Sequence, residues 1–223
     1  MTAKPVAAEI SEVLIPVGEE TIAGDLIIPT HAHEIVLFAH GSGSSRHSPR
    51  NRFVAEELQK AGLATLLMDL LTTAEERIDE QTGGGLRFDI GLLAGRLEAA
   101  SGWVRANPST HDLSIGYFGA STGAAAALVA AAAEWRGKVK AVVSRGGRPD
   151  LAKEALSVVR APTLLIVGGD DRVVIELNRQ ALDKLSCEKR LEIVPSATHL
   201  FEEPGTLERV AALAVDWFLR HLK

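Results

Sequence analysis

The sequence predicts an α/β fold: a mostly parallel sheet of about eight strands, opened by an antiparallel hairpin, with helices on both faces and no cap domain. Three observations carry this. From residue 34 onward, short β-rich apolar runs alternate with longer amphipathic stretches, the pattern of parallel strands joined by helical crossovers. The two apolar runs before them are separated by only Gly18, Glu19 and Glu20, too few residues for a crossover and enough for a hairpin turn. The length of 223 residues lies within the range of one α/β core, so residues 1–223 are read as a single domain.

Residues 12–17 and 21–29 form the predicted hairpin. Residues 35–40 are rich in β-branched and aromatic side chains, read as a strand, and run into His40-Gly41-Ser42-Gly43-Ser44-Ser45. The helix predicted for 49–61 starts on Pro49, whose fixed φ and missing N–H suit a first helical position. A strand follows at 64–70. Residues 72–87, acidic and carrying Gly83, Gly84 and Gly85, read as an irregular segment, either a functional lid or a plainly mobile loop. Helical periodicity resumes at 88–106, 122–135, 150–158, 175–186 and 206–221, with strands between these at 113–119, 139–144, 162–168 and 190–195. The chain has 32 Ala and 20 Gly against 10 aromatic residues, so layers are expected to pack through small side chains.

Charge and composition exclude several classes. With 24 Lys+Arg against 29 Asp+Glu, the net charge of −5 has the wrong sign for general binding to phosphate backbones, and few rings are available to stack on bases. No nucleic-acid partner is expected. The first residues hold no apolar stretch of signal-peptide length, and the run at 123–133 is too short to span a bilayer, so no membrane association is expected. A lone Cys187 cannot form an intramolecular disulfide or a cysteine-cluster zinc site and suits a reducing, cytoplasmic setting. His31-Ala32-His33 has no third ligand near it, and no metal is expected.

In a parallel sheet, functional groups gather where crossover loops leave the carboxyl ends of the strands. After the strand at 113–119 comes Gly119-Ala120-Ser121-Thr122-Gly123, a GxSxG pattern that runs directly into a helix. Such a turn holds a serine exposed above the sheet, and the two glycines let neighbouring backbone approach it. A plain helix N-cap is the alternative role for Ser121. Two later strands end in Asp170-Asp171 and in Thr198-His199. Serine needs a base to take its proton, and imidazole has a suitable pKa. The chain order Ser121, Asp171, His199 is that of a triad on this kind of sheet, with Asp170 the alternative acid. His221 is read as lying on the solvent face of the last helix. The amides of Thr122 and Ser42 are the expected oxyanion donors, with Gly41 or Gly43 as alternatives to Ser42. The Gly41-Ser42-Gly43 loop also approaches a dinucleotide fingerprint, but Arg46 stands where its third glycine belongs.

Taken together, the hairpin start, His40-Gly41, the Gly119–Gly123 elbow, Asp171 and His199 resemble the dienelactone hydrolase-like members of the α/β-hydrolase superfamily over nearly the whole chain. The resemblance implies an α/β-hydrolase fold and acyl transfer without a metal or organic cofactor. The family's dienelactone hydrolases carry cysteine at the nucleophile position. Ser121 stands there in this chain, which points to a small carboxylic ester or thioester as substrate. The alternatives are a non-catalytic binding protein on the same fold and a nucleotide-dependent oxidoreductase using the Gly41 loop.

Arginines collect at the same sheet edge: Arg46, Arg50, Arg145, Arg148 and Arg172. Arg46 and Arg145 are the candidates for binding an anionic group on the substrate. The competing expectation is that these arginines pair with Glu75, Glu76, Asp79 or Glu80. Nothing in the sequence specifies an oligomeric state.

Overall fold

A computed structural model describes residues 10–133 and 138–223. The reading of the first nine residues, and the predicted end of the helix at 134–135, lie outside that range. Two strands, β1 (Ser11–Val17) and β2 (Glu20–Ile27), form the hairpin, with Gly18 taking the positive φ of 77° that its turn requires. The remaining strands are β3 (Glu34–Ala39), β4 (Ala64–Met68), β5 (Ser114–Ala120), β6 (Val139–Arg145), β7 (Thr163–Gly168) and β8 (Lys189–Val194). They build one sheet in the order β1-β2-β4-β3-β5-β6-β7-β8. The pairings β1–β2 and β2–β4 are antiparallel, and all others are parallel.

Both faces of the central strands are covered, which is why their sequences are nearly continuous apolar runs. Along β3, Ile35, Leu37 and Ala39 face one core while Val36 and Phe38 face the other. The first core is closed by α3 (Ile90–Ala106), α4 (Thr122–Ala133), a 3-10 segment at Pro149–Val158 and α5 (Arg172–Lys184). The second is closed by α1 (Pro49–Lys60) and α6 (Thr206–His221), which pack on each other. The alanines of α4 let it lie close to the sheet. A Cβ added at Gly123 would sit 2.3 Å from the Ala39 carbonyl oxygen, and one at Gly119 would sit 2.4 Å from the Ala124 Cα. No side chain fits at either point, so helix and strand meet through bare backbone.

One segment departs from the expectation. Residues 72–87 are not irregular: they form α2 (Thr73–Thr82) followed by a short 3-10 turn, Leu86–Phe88. The Thr72 hydroxyl accepts from the Glu75 amide at 3.2 Å, and the Glu75 carboxylate accepts from the Thr72 amide at 2.8 Å, a reciprocal capping box. Gly83, at φ 84°, ends the helix. Asp79, 1% exposed, then accepts from the amides of Leu86 and Arg87 and pairs with the Arg87 guanidinium. The three glycines are therefore a pinned turn. A second departure is His221, whose side chain is only 10% exposed, packs on Trp217 with ring centroids 4.3 Å apart, and lies 3.5 Å from Glu188. Its placement on a solvent face is corrected accordingly. Asp89 is the N-cap of α3, accepting from the Leu92 amide at 3.0 Å.

Candidate active site

Strand β5 ends at Ala120 and α4 begins at Thr122, so Ser121 alone makes the turn, at φ 51°. A left-handed conformation at a non-glycine residue costs on the order of 1–3 kcal/mol and persists only where surrounding contacts hold it. Here the Ser121 amide donates to the Arg145 carbonyl at 3.3 Å, and the Ser121 carbonyl accepts from the amides of Ala124 and Arg148, both at 3.1 Å. Ser121 is thus a strained elbow and not an ordinary N-cap. Gly41 lies against it: a Cβ on that glycine would be 3.0 Å from the Ser121 Cβ and 3.8 Å from its Oγ.

The ends of β7 and β8 meet each other. Asp171 precedes α5 but does not cap it; its Oδ2 accepts from His199 Nδ1–H at 2.7 Å. Because a carboxylate only accepts, this bond places the proton on Nδ1 and leaves Nε2 free to act as a base. The Asp170 amide donates to the Ala197 carbonyl at 3.0 Å, and among the described residues its carboxylate has no hydrogen bond to His199. Of the two adjacent acids it is Asp171 that meets the histidine. The turn after β6 runs between serine and histidine: Arg145 bonds Ser121, and a Cβ on the next residue, Gly146, would lie 3.0 Å from the His199 carbonyl and 3.7 Å from its ring. Among the described residues the Ser121 hydroxyl has no hydrogen-bond partner, an open geometry of the kind that tightens once substrate is bound.

The second expected oxyanion donor has a different role. The Ser42 amide donates to the Thr122 hydroxyl at 2.9 Å, because Gly41 and Gly123 draw the β3 turn and the start of α4 into contact. Thr122, at the first position of α4, keeps its own amide at the positive end of the helix. His40 anchors the other side of the turn. Its Nδ1–H donates to the Gly41 carbonyl at 2.9 Å, and its Nε2 accepts from the Leu70 amide at 3.2 Å. That arrangement needs the neutral ring, and burial pushes its pKa below the usual 6.5 against the opposing pull of the Gly41 carbonyl.

The two arginines singled out from sequence are both engaged elsewhere. Arg46 is held by Asp69, Asp25 and Glu12, and its amide also donates to Asp69 at 2.9 Å. It pairs neither with the acids of α2 nor with an open site, because the antiparallel placement of β2 beside β4 brings Asp25 and Asp69 to it. Arg145 is 5% exposed, with Nη2 donating to Asn51 Oδ1 at 2.9 Å. Arg148 forms a two-pronged pair with Asp150 at 2.9 and 2.8 Å. A cavity of about 570 Å³ runs along the 41–50 loop, with Glu76, Glu80 and Arg87 on its far wall. Gly41 and Ser42 line it as well. Arg50 lines it, bonded to Glu202 at 3.1 Å. Sequence reasoning noted Arg50 only as one of a group and missed Glu202. The Thr72-x-x-Glu75 capping signal that builds the far wall was legible but unread.

The loop weighed as a dinucleotide site closes against Ser121, and α1 starts only at Pro49 with Ser48 as its cap, so the glycines do not open onto a helix N-terminus. Among the described residues no group of three or more His, Cys, Asp and Glu is placed to hold a metal, and no helix is long and apolar enough to cross a membrane.

An eight-stranded, mostly parallel sheet carrying a serine on a strained strand-to-helix elbow, with an aspartate-bound histidine after a later strand, defines the α/β-hydrolase fold. Residues 22–222 match the model of the dienelactone hydrolase family, and the chain belongs to that family. A crystal structure of a dienelactone hydrolase from Anabaena variabilis is 61% identical, with a TM-score of 0.94 over 97% of this chain and 99% of that one. Est1E from Butyrivibrio proteoclasticus shares the fold at 16% identity, with a TM-score of 0.77 over 94% of this chain and 98% of its own. A Mycobacterium tuberculosis protein named as a candidate phosphoribosyl transferase is 59% identical over 211 residues. Those residues are 95% of this chain but 46% of the relative, so the chain spans about half of that protein's length.

Proposed function

We propose that the protein is a serine hydrolase that cleaves a small carboxylic ester or thioester through an acyl-enzyme on Ser121. The observation that carries this reading is the 2.7 Å bond from His199 Nδ1–H to Asp171, at the same sheet edge as a serine strained to φ 51°. His199 Nε2 takes the Ser121 proton as Oγ attacks the ester carbonyl, and Asp171 stabilises the imidazolium that forms. The oxygen that becomes negative is held by the Thr122 amide and the start of α4, with the Ser42–Thr122 pair shaping the opposite side of the hole. His199 returns the proton to the leaving oxygen or sulfur. Water, deprotonated by the same ring, then releases the acid and restores Ser121. No step calls on a metal or an organic cofactor.

The presence of serine where the dienelactone hydrolases carry cysteine favours esters over dienelactones. The phosphoribosyl transferase name belongs to a chain twice as long and carries no activity to this one. The test is a series of p-nitrophenyl esters of graded acyl length with Ser121→Ala as control, together with labelling by a fluorophosphonate. Loss of turnover and of label in the variant supports the reading; equal activity in variant and wild type refutes it.

A further inference from the structure

Asn178 is a fully buried amide in the middle of α5, the helix that Asp171 precedes. One N–H of its Nδ2 donates to the Val174 carbonyl at 2.8 Å, inside the same helix, and the other crosses to the Gly147 carbonyl at 3.0 Å. Among the described residues its Oδ1 meets no donor. An unmatched buried acceptor lowers stability, so packing alone favours an apolar side chain of this size. The bond to Gly147 is what an apolar side chain could not supply.

Gly147 belongs to the turn 145–148, which touches both Ser121 and His199. At one end the Arg145 carbonyl accepts from the Ser121 amide at 3.3 Å, and at the other the Arg148 amide donates to the Ser121 carbonyl at 3.1 Å. Between them, the Gly146 amide donates to the Ile166 carbonyl of β7 at 2.8 Å, and a Cβ on Gly146 would lie 3.0 Å from the His199 carbonyl oxygen. A Cβ on Gly147 would lie 2.6 Å from the Ala124 Cβ of α4. The turn is therefore wedged between α4 and His199, and Asn178 bonds it to α5.

We propose, on the reading of Ser121 as nucleophile, that Asn178 is a positioning residue: by tying the Gly147 carbonyl to α5, it holds the turn that bonds Ser121 on both sides in register with the helix that follows Asp171. Asn178 meets no reacting atom and acts through the backbone of the turn. The left-handed conformation of Ser121 persists only while its contacts hold it. Without the crossing bond the turn is free to shift against α5, and the elbow relaxes with it. A displacement of about 1 Å between reacting groups can cost about 100-fold in rate. Such a loss falls on kcat more than on KM, because bound substrate does not depend on the alignment that the transition state requires.

The test uses two substitutions that break the crossing bond differently. Asn178→Leu removes both donors at similar volume. Asn178→Ser keeps a hydroxyl for the Val174 carbonyl but is one bond too short for Gly147, and it carries the test if the leucine variant folds poorly. Thr110→Val is the control for stability alone: it removes the buried bond from the Thr110 hydroxyl to the Val104 carbonyl, before the end of β5 remote from Ser121. On a p-nitrophenyl ester both Asn178 variants are expected to lose about tenfold to 100-fold in kcat with KM within about twofold of wild type, while Thr110→Val lowers Tm and keeps kcat. Fluorophosphonate labelling of Ser121 should slow in the same proportion. Amide hydrogen exchange gives a readout that needs no turnover: the Arg148 amide should exchange about tenfold faster in both Asn178 variants than in wild type or Thr110→Val. An unchanged kcat in the Asn178 variants, or Arg148 exchange no faster than in the control, overturns the proposal. A wild type that neither turns over esters nor takes the label fells the hydrolase reading instead, and Arg148 exchange then decides the tether by itself.

Discussion

The Ser42 amide donates to the Thr122 hydroxyl at 2.9 Å, joining the turn after β3 to the first residue of α4 across eighty positions of sequence. Two backbone segments that flank the proposed oxyanion site are thereby held at a fixed separation. Thr122→Val keeps the shape but leaves the Ser42 N–H without an acceptor. It is expected to lower kcat about tenfold with little change in KM, since a displaced donor acts on the transition state more than on bound substrate. Thr122→Ser, which retains the hydroxyl, should recover most of the loss. Steady-state kinetics on one p-nitrophenyl ester distinguishes them, and equal kcat in Val and Ser variants would count against the tether.

Asp171 and Asp170 are adjacent carboxylates with unequal places: the first bonds His199, while the second lends its amide to the Ala197 carbonyl. Asp171→Asn should lower kcat about 10³-fold or more, because an amide no longer holds the tautomer a base requires. Asp170→Asn is expected to stay within about threefold of wild type. A reversed order would reassign the acid.

Close approach at the elbow makes Gly123 sensitive to a single methyl group. In Gly123→Ala the added carbon meets the Ala39 and His40 carbonyl oxygens at 2.3 and 2.4 Å, so α4 must lift from the sheet. A loss of about 3 kcal/mol is expected in urea unfolding. Gly95→Ala on α3, where no atom lies within 4 Å of the added carbon, should be neutral or slightly stabilising.

His40 gives the fold a dependence on pH. Its folded pKa lies below 6.5 because burial disfavours the charged ring, so between the two values the unfolded chain binds more protons. The contribution is complete above 6.5 and is lost as pH falls toward and through the lowered folded value. Stability measured by urea midpoint should decline as pH drops below 6.5. His40→Asn, which cannot titrate there, should flatten that decline; an unchanged slope would place its origin elsewhere.

Much of this protein was legible in one dimension. Apolar runs such as Ile35–Ala39 must be buried on both faces, and the glycines around Ser121 carry their steric meaning wherever the turn is placed. The order Ser121, Asp171, His199 followed from reading what comes after each strand. Residues 72–87 were misread because acidity and three glycines outweighed the Thr72–Glu75 capping pair, a local signal that sets both the start and the stability of α2.

Sequence alone determined the order of the strands along the chain and of every helix but α2, the elbow and the three residues expected to gather there, because these depend on periodicity and on backbone space. Only the tertiary structure decided the partners of the charges. Asp25 and Asp69 reach Arg46 because β2 lies antiparallel beside β4, and Arg145, bonded to Asn51 of α1 and next to Arg50, meets no carboxylate among the described residues. Charge pairing depends on distances between residues far apart in the chain, and no local pattern encodes them.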